Sequence, residues 1–133
     1  MQFVERYPDL QIVVDHGAKP DIRNGTIEPW LADMTAVAKH AQVVCKLSGL
    51  ATEATANWQP GDIRPYIDRL LGLFGPTRLL WGSDWPVVDL AGGYDRWRGL
   101  TIDVLQGLPE NDRAAILGGN AARIYLDNKK DAA

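Results

Sequence analysis

Apolar residues in this chain gather into three short runs, Gln11 to Asp15, Gln42 to Leu47 and Arg78 to Trp81. Each is aliphatic or aromatic and only about five residues long, as strands buried on both faces are. Between and after these runs the spacing becomes helical. Trp30, Met34, Val37, Ala38 and Ala41 recur at that interval, and Pro29 suits a first turn. Ile63, Tyr66, Ile67, Leu70, Leu71 and Phe74 form a stronger stripe, with Asp62 placed to cap it and Gly75-Pro76 to end it. Tyr94, Trp97, Thr101, Val104 and Leu105 predict a further helix, stopped by Gly107. Two terminal helices follow, Pro109 to Leu117 and Asn120 to Leu126, with Asn120 as the cap of the second.

The order is strand, loop, helix, three times over. Strands that alternate with helices pair in parallel through right-handed crossovers. The pattern therefore predicts an α/β fold with parallel strands near residues 11–15, 42–47 and 78–82 and helices on one face. The loops after the strands are long, at residues 16–27, 48–61 and 82–93, and the loops before them are short. Elaboration thus lies at the C-terminal ends of the strands, where α/β folds place their chemistry. Successive strand side chains point to opposite faces. On that alternation His16 follows Ile12 and Val14, Lys46 and Ser48 follow Val44, and Asp84 follows Leu80 and Gly82. All four would then meet in one inner cavity.

Composition narrows the picture. Hydrophobic residues at 46% and charged residues at 23% are ordinary for a globular protein. A net charge of −3, with no basic run, argues against nucleic acid as a partner. No apolar stretch reaches the roughly 18 residues of a membrane span, and MQFVERYPDL lacks the layout of a signal peptide. The lone Cys45 cannot form an intramolecular disulfide; inside a strand pattern it reads as an inert buried thiol, and a cytoplasmic location is expected. The tail NKKDAA is polar, which divides the chain into a domain over 1–126 and a tail over 127–133.

Candidate chemistry centres on LLWGSDWPV. Asp84 follows a strand end and stands beside Trp85. It reads either as a general base or metal ligand, or as a structural cap of the next turn. His16 reads as a strand-end functional histidine or as a core histidine satisfied by a carbonyl. Lys46 either orients a substrate carboxylate or hydroxyl, or extends outward to solvent. Glu53 and Trp58, in the second long loop, read as substrate contacts or as loop packing. Trp85 reads as a wall for a sugar-like ring or as a buried aromatic. Ser48 reads as a turn former, His40 as a cation at a helix C-terminus, and Arg64 and Arg123 as solvated or structural. No G-x-S-x-G elbow and no P-loop is present.

VVDHGAKPDI, VCKLSGLATEA, LLWGSDWPV and GGNAARIYL, in this order and spacing, resemble the amidohydrolase superfamily, in its branch of sugar-lactone and dicarboxylate-lactone hydrolases. The resemblance runs from about residue 8 to residue 126. It implies a (β/α)₈ barrel of which these strands are the sixth to eighth, so the chain is expected to be the C-terminal part of such a domain, about three βα units. His16 would match the sixth-strand histidine and Asp84 the water-activating aspartate of the eighth strand. Lys46, Glu53, Trp58 and Trp85 would contact a small lactone or a carboxylate-bearing sugar derivative. The resemblance leaves the metal open: either a divalent ion such as zinc, with His16 and Asp84 as its ligands, or none. The first-strand His-x-His pair has no counterpart here. Three parallel strands cannot close a barrel. Self-association, or docking with a missing N-terminal half, is therefore expected, and the isolated chain should be a poor catalyst. The alternative is an inactive barrel remnant that serves only folding or association.

Overall fold

The computed structural model describes residues 2–126. Met1 and the predicted tail over 127–133 lie outside them. A short helix, α1 (Gln2–Arg6), precedes the first strand; the residue pattern gave no warning of it. Then come β1 (Ile12–Val14), α2 (Trp30–Ala38), β2 (Val43–Leu47), α3 (Pro60–Phe74), β3 (Leu79–Trp81), α4 (Gly93–Leu105), α5 (Glu110–Ala114) and α6 (Asn120–Tyr125). The sheet order is β1-β2-β3 and both pairings are parallel. Val13 sits opposite Val44, and Lys46 opposite Leu80; β2 and β3 end level at Leu47 and Trp81, while β1 ends two residues earlier, at Val14 opposite Cys45.

One face of the sheet carries the main core. Val43, Cys45, Leu47 and Leu79 are fully buried there against Met34 of α2 and Ile63, Ile67 and Leu70 of α3. The stripe on α3 accounts for this packing, because those residues share one helical face. Its start differs from expectation. Gln59, not Asp62, is the N-cap; Asp62 sits three residues on and accepts a 2.7 Å hydrogen bond from the Gln59 backbone N–H, closing a capping box. Arg78 joins the ends of α2 and α3 to the sheet. Its guanidinium donates to the carbonyls of Ala38, His40, Val43 and Leu73 at 3.0–3.2 Å, of which Ala38 and Leu73 lie in the last turns of α2 and α3, where helix carbonyls lack an intrahelical partner. Arg123 likewise donates to the Thr77 carbonyl, and Arg64 pairs with Asp103 at the surface.

The opposite face is not free of helices, which corrects the one-sided expectation. α6 turns back across it and buries Ile124 with Val44 and Leu80, beside Val13 and Ala121. Asn120 is not a cap. Helical geometry runs through it from a π-type turn at Ala115–Gly119, and its side-chain amide donates to the carbonyls of Pro76 and Leu79. It pins α6 to the start of β3.

Strand alternation holds for β2, where Val43, Cys45 and Leu47 face the helices and Val44 the other side. It holds for Leu80 as well. It fails at the end of β1. Ile12 and Val14 pack on the helical core and Val13 on the inner side. By alternation His16 would be carried away from the inner cavity. The chain avoids this because β1 stops at Val14 and Asp15–Ala18 makes a tight turn, with His16 at φ 47° and ψ 44°.

Candidate functional site

Two residues with opposed chemistry leave regular backbone at neighbouring strand ends. His16 has φ 47° and Asp84 φ 59°, a left-handed conformation uncommon for residues other than glycine. Such conformations cost on the order of 1–3 kcal/mol each and persist where the surrounding structure imposes them. At Asp84 the surroundings are specific. Gly82 N–H donates to the Leu47 carbonyl and extends the ladder past β3. The Trp97 indole donates to the Gly82 carbonyl at 2.8 Å, and the Val88 N–H donates to that of Asp84 at 2.9 Å. Trp81 in turn donates to the Thr101 hydroxyl, so α4 holds the N-terminal flank of the Gly82–Asp84 segment, and the turn at Val87–Ala91 holds the other.

The result is that His16 Nε2 lies 3.5 Å from Asp84 Oδ1 and 3.4 Å from Asp15 Oδ2. The other ring nitrogen, Nδ1, is 2.8 Å from Ser48 Oγ. His16, Asp84, Lys46 and Ser48 line one cleft of about 180 Å³, floored by Leu80 and Trp81 and flanked by Tyr125. Asp84 is largely buried and His16 a quarter exposed, so both reach the cleft while shielded from bulk water. A larger cleft of about 640 Å³, bordered by Arg23, Asp62 and Tyr66, contains none of the predicted site residues.

Lys46 Nζ makes a 2.9 Å ion pair with Asp15 Oδ1. That hydrogen bond draws the Asp15 carboxyl below its ordinary range and pushes the Lys46 ammonium above its own. Lys46 therefore neither extends freely to solvent nor waits unpaired. Burial pushes the Cys45 thiol up to about 12, which leaves almost no thiolate at neutral pH and bears out an inert cysteine.

The remaining predicted contacts are elsewhere. Trp58 is 1% exposed; its indole donates to the Ala91 carbonyl and Arg96 stacks on its ring, so it is loop core rather than part of this cleft. Glu53 faces Lys19 at 3.6 Å, also outside the cleft. Trp85 adjoins Asp84 in sequence but is 68% exposed, which corrects the buried reading without placing it in the cleft. Ser48 is a side-chain partner of His16 rather than a simple turn former. Two features were missed from sequence, Asp15 as the ion-pair partner of His16 and Lys46 and Tyr125 as part of the cleft lining. Asp15 was legible as the neighbour of His16 in the strand-end pair VVDHG. Tyr125 was not, because nothing local brings α6 back across the sheet.

Among the described residues, no group of three or more His, Cys, Asp or Glu side chains is arranged to hold a metal ion. Catalytic zinc takes three protein ligands. The described donor set alone does not fit such a centre.

The profile of the amidohydrolase family matches residues 2–126. An L-fucono-1,5-lactonase of Burkholderia ambifaria is 43% identical over 129 residues, covering 94% of this chain and 44% of the lactonase. An L-fucono-1,5-lactonase of Burkholderia multivorans is 38% identical over 136 residues, covering 92% of this chain and 45% of its own length. A crystal structure of a Burkholderia multivorans amidohydrolase with bound zinc superposes with a TM-score of 0.88 at 38% identity, over 93% of this chain and 46% of that one. The chain thus spans less than half the length of the curated relatives it matches. Its three parallel strands are a portion of a (β/α)₈ barrel. Because the family profile matches nearly the whole chain, the chain belongs to the amidohydrolase family.

Proposed function

We propose that this chain contributes the water-activating side of a lactone hydrolase, acting on a sugar lactone or a related cyclic ester. The observation that carries the proposal is the 3.5 Å approach of His16 Nε2 to Asp84 Oδ1 in a shielded cleft at the strand ends. Similarity to L-fucono-1,5-lactonases supports the substrate class.

In this reading Asp84 accepts a proton from water as the oxygen attacks the lactone carbonyl. The Nε2–H of His16 donates to the carbonyl oxygen and steadies the negative charge that develops there. Collapse of the tetrahedral species breaks the ring C–O bond, and Asp84 returns its proton to the departing alkoxide. The product is a hydroxy acid, and Asp84 ends ionised as it began. Lys46, held against Asp15, is placed to meet a substrate hydroxyl or carboxylate.

The three-strand sheet needs the rest of a barrel wall to enclose substrate, because among the described residues β1 and β3 each pair on one side only. Whether supplied by a longer chain or a second polypeptide, those strands complete the site. The test is to purify the 133-residue chain and follow acid release from sugar lactones. It is assayed alone and with the N-terminal half of the Burkholderia ambifaria lactonase, with and without zinc. Slow turnover alone, a gain on complementation, and loss of both in Asp84→Asn are expected. The loss should be roughly 10²–10⁴-fold, the usual contribution of a general base. Inactivity even with the complement would overturn the lactonase reading. Full activity of Asp84→Asn would overturn the role of Asp84.

A further inference from the structure

The His16 imidazole hangs from a left-handed turn rather than a strand, so no strand neighbour fixes it. Two contacts from the segment after β2 do. Ser48 is 2% exposed, and its Oγ sits 2.8 Å from Nδ1. Gly49 lies directly beneath the ring: a Cβ there would fall 2.6 Å from His16 Cβ and Cγ and 2.7 Å from Nδ1. Gly49 also has φ +65°, which suits glycine on its own account. Behind Ser48 the next strand end is glycine too, and a Cβ on Gly82 would meet Ser48 Cβ at 3.2 Å. The hydroxyl is therefore enclosed on one side by Gly82 and directed on the other at the imidazole.

We propose that Ser48 is the positioning residue of His16: its hydroxyl donates to Nδ1, which places the ring proton on Nε2 and keeps that N–H turned to the cleft. The proton assignment follows from the partners. Nε2 faces two carboxylate oxygens, of Asp15 and Asp84, which only accept. An N–H belongs there, and Nδ1 is left as the acceptor. Ser48 is the hydroxyl in reach of it. In a neutral imidazole the bond made by one nitrogen fixes the role of the other. The catalytic consequence rests on the lactonase reading, because a donor at Nε2 is what a developing oxyanion requires. The orientation itself does not rest on it.

The experiment therefore has two arms. Long-range ¹H–¹⁵N spectra of the histidine rings are recorded on the full chain at alkaline pH, for the wild type, Ser48→Ala and Ser48→Thr. His16 in the wild type should show a protonated Nε2 and a hydrogen-bonded, unprotonated Nδ1. Ser48→Ala should move Nδ1 towards the frequency of an unbonded imidazole nitrogen, and Ser48→Thr should restore it. In the complemented enzyme, Ser48→Ala should lower kcat about tenfold with little change in KM, as expected for one lost hydrogen bond to a reacting group. A wild-type ring protonated at Nδ1, or a Ser48→Ala spectrum unchanged at His16, would overturn the proposal. A moved spectrum with no lactone hydrolysis in any variant would overturn the proposed function and leave the positioning role standing.

Discussion

The two faces of the sheet differ in how they are closed. The outer face is sealed by α2 and α3, whose stripes were written for it: Val43, Cys45, Leu47, Ile63, Ile67 and Leu70 are all fully buried. The inner face is closed over a much smaller area by α6, where Val44, Leu80 and Ile124 form a separate patch and Val13 is only partly buried. Beside that patch the face turns polar, with Lys46 and Ser48 on β2 and its exit, and His16 and Asp84 at the neighbouring ends. One side holds the chain together. The other is left with an open cleft of about 180 Å³. Apolar core and polar cleft are thereby separated across a sheet one residue thick, and the boundary runs through β2, where Cys45 and Lys46 are consecutive.

Cys45 gives the largest test of that boundary. With its thiol pushed from 9.0 to about 12, the thiolate fraction below pH 9 falls by about 10³-fold, since each pKa unit is tenfold. A maleimide should label the native chain at least about that much more slowly than a free thiol, and urea should abolish the difference. Rapid labelling of the native protein would mean that the outer face opens readily.

Cavity substitutions compare the faces directly. Leu70→Ala on the outer face should cost about 2–5 kcal/mol in urea unfolding. Val13→Ala on the inner face should cost under about 1 kcal/mol, because its side chain is only partly shielded. Equal costs would erase the distinction. A Val13 cost that rises when the complementing half-barrel is added would sharpen it, by showing that the inner face is finished by further strands.

The smallest effect belongs to the Asp15–Lys46 pair. The carboxyl of Asp15 is held below 3.8, so its contribution is present above that value and fades as pH falls through the lowered one. The ammonium of Lys46 is held above 10.5, so its contribution is complete below that value and is lost as pH rises through the raised one. Asp15 is 59% exposed, and solvent screening limits the pair to under about 1 kcal/mol. The wild type should exceed Asp15→Asn in urea midpoint at about pH 7 and converge with it well below pH 3.8 and well above pH 10.5. A difference that stays constant across that range would show that Asp15 acts through packing, not charge.

The sequence by itself determined the parallel three-strand sheet, the presence of α2, α3 and α4 between and after the strands, and the inertness of Cys45. These follow from local periodicity, because a buried strand and an amphipathic helix each declare their inner side by spacing alone. It also placed His16 and Asp84 at strand ends. What only the tertiary structure decided is where several individual side chains go. Alternation along β1 would have sent His16 to the wrong side, and the left-handed turn at Asp15–Ala18 reversed it. Trp58 and Glu53 share a loop with Ser48, yet fold away from the cleft. Asn120 looked like a cap and became the anchor of α6, and through α6 Tyr125 arrived beside Lys46. Spacing in sequence cannot report such contacts. They depend on where a chain that has left regular backbone is caught by hydrogen bonds from residues some 30–40 positions away, such as Ser48 to His16 and Asn120 to Leu79.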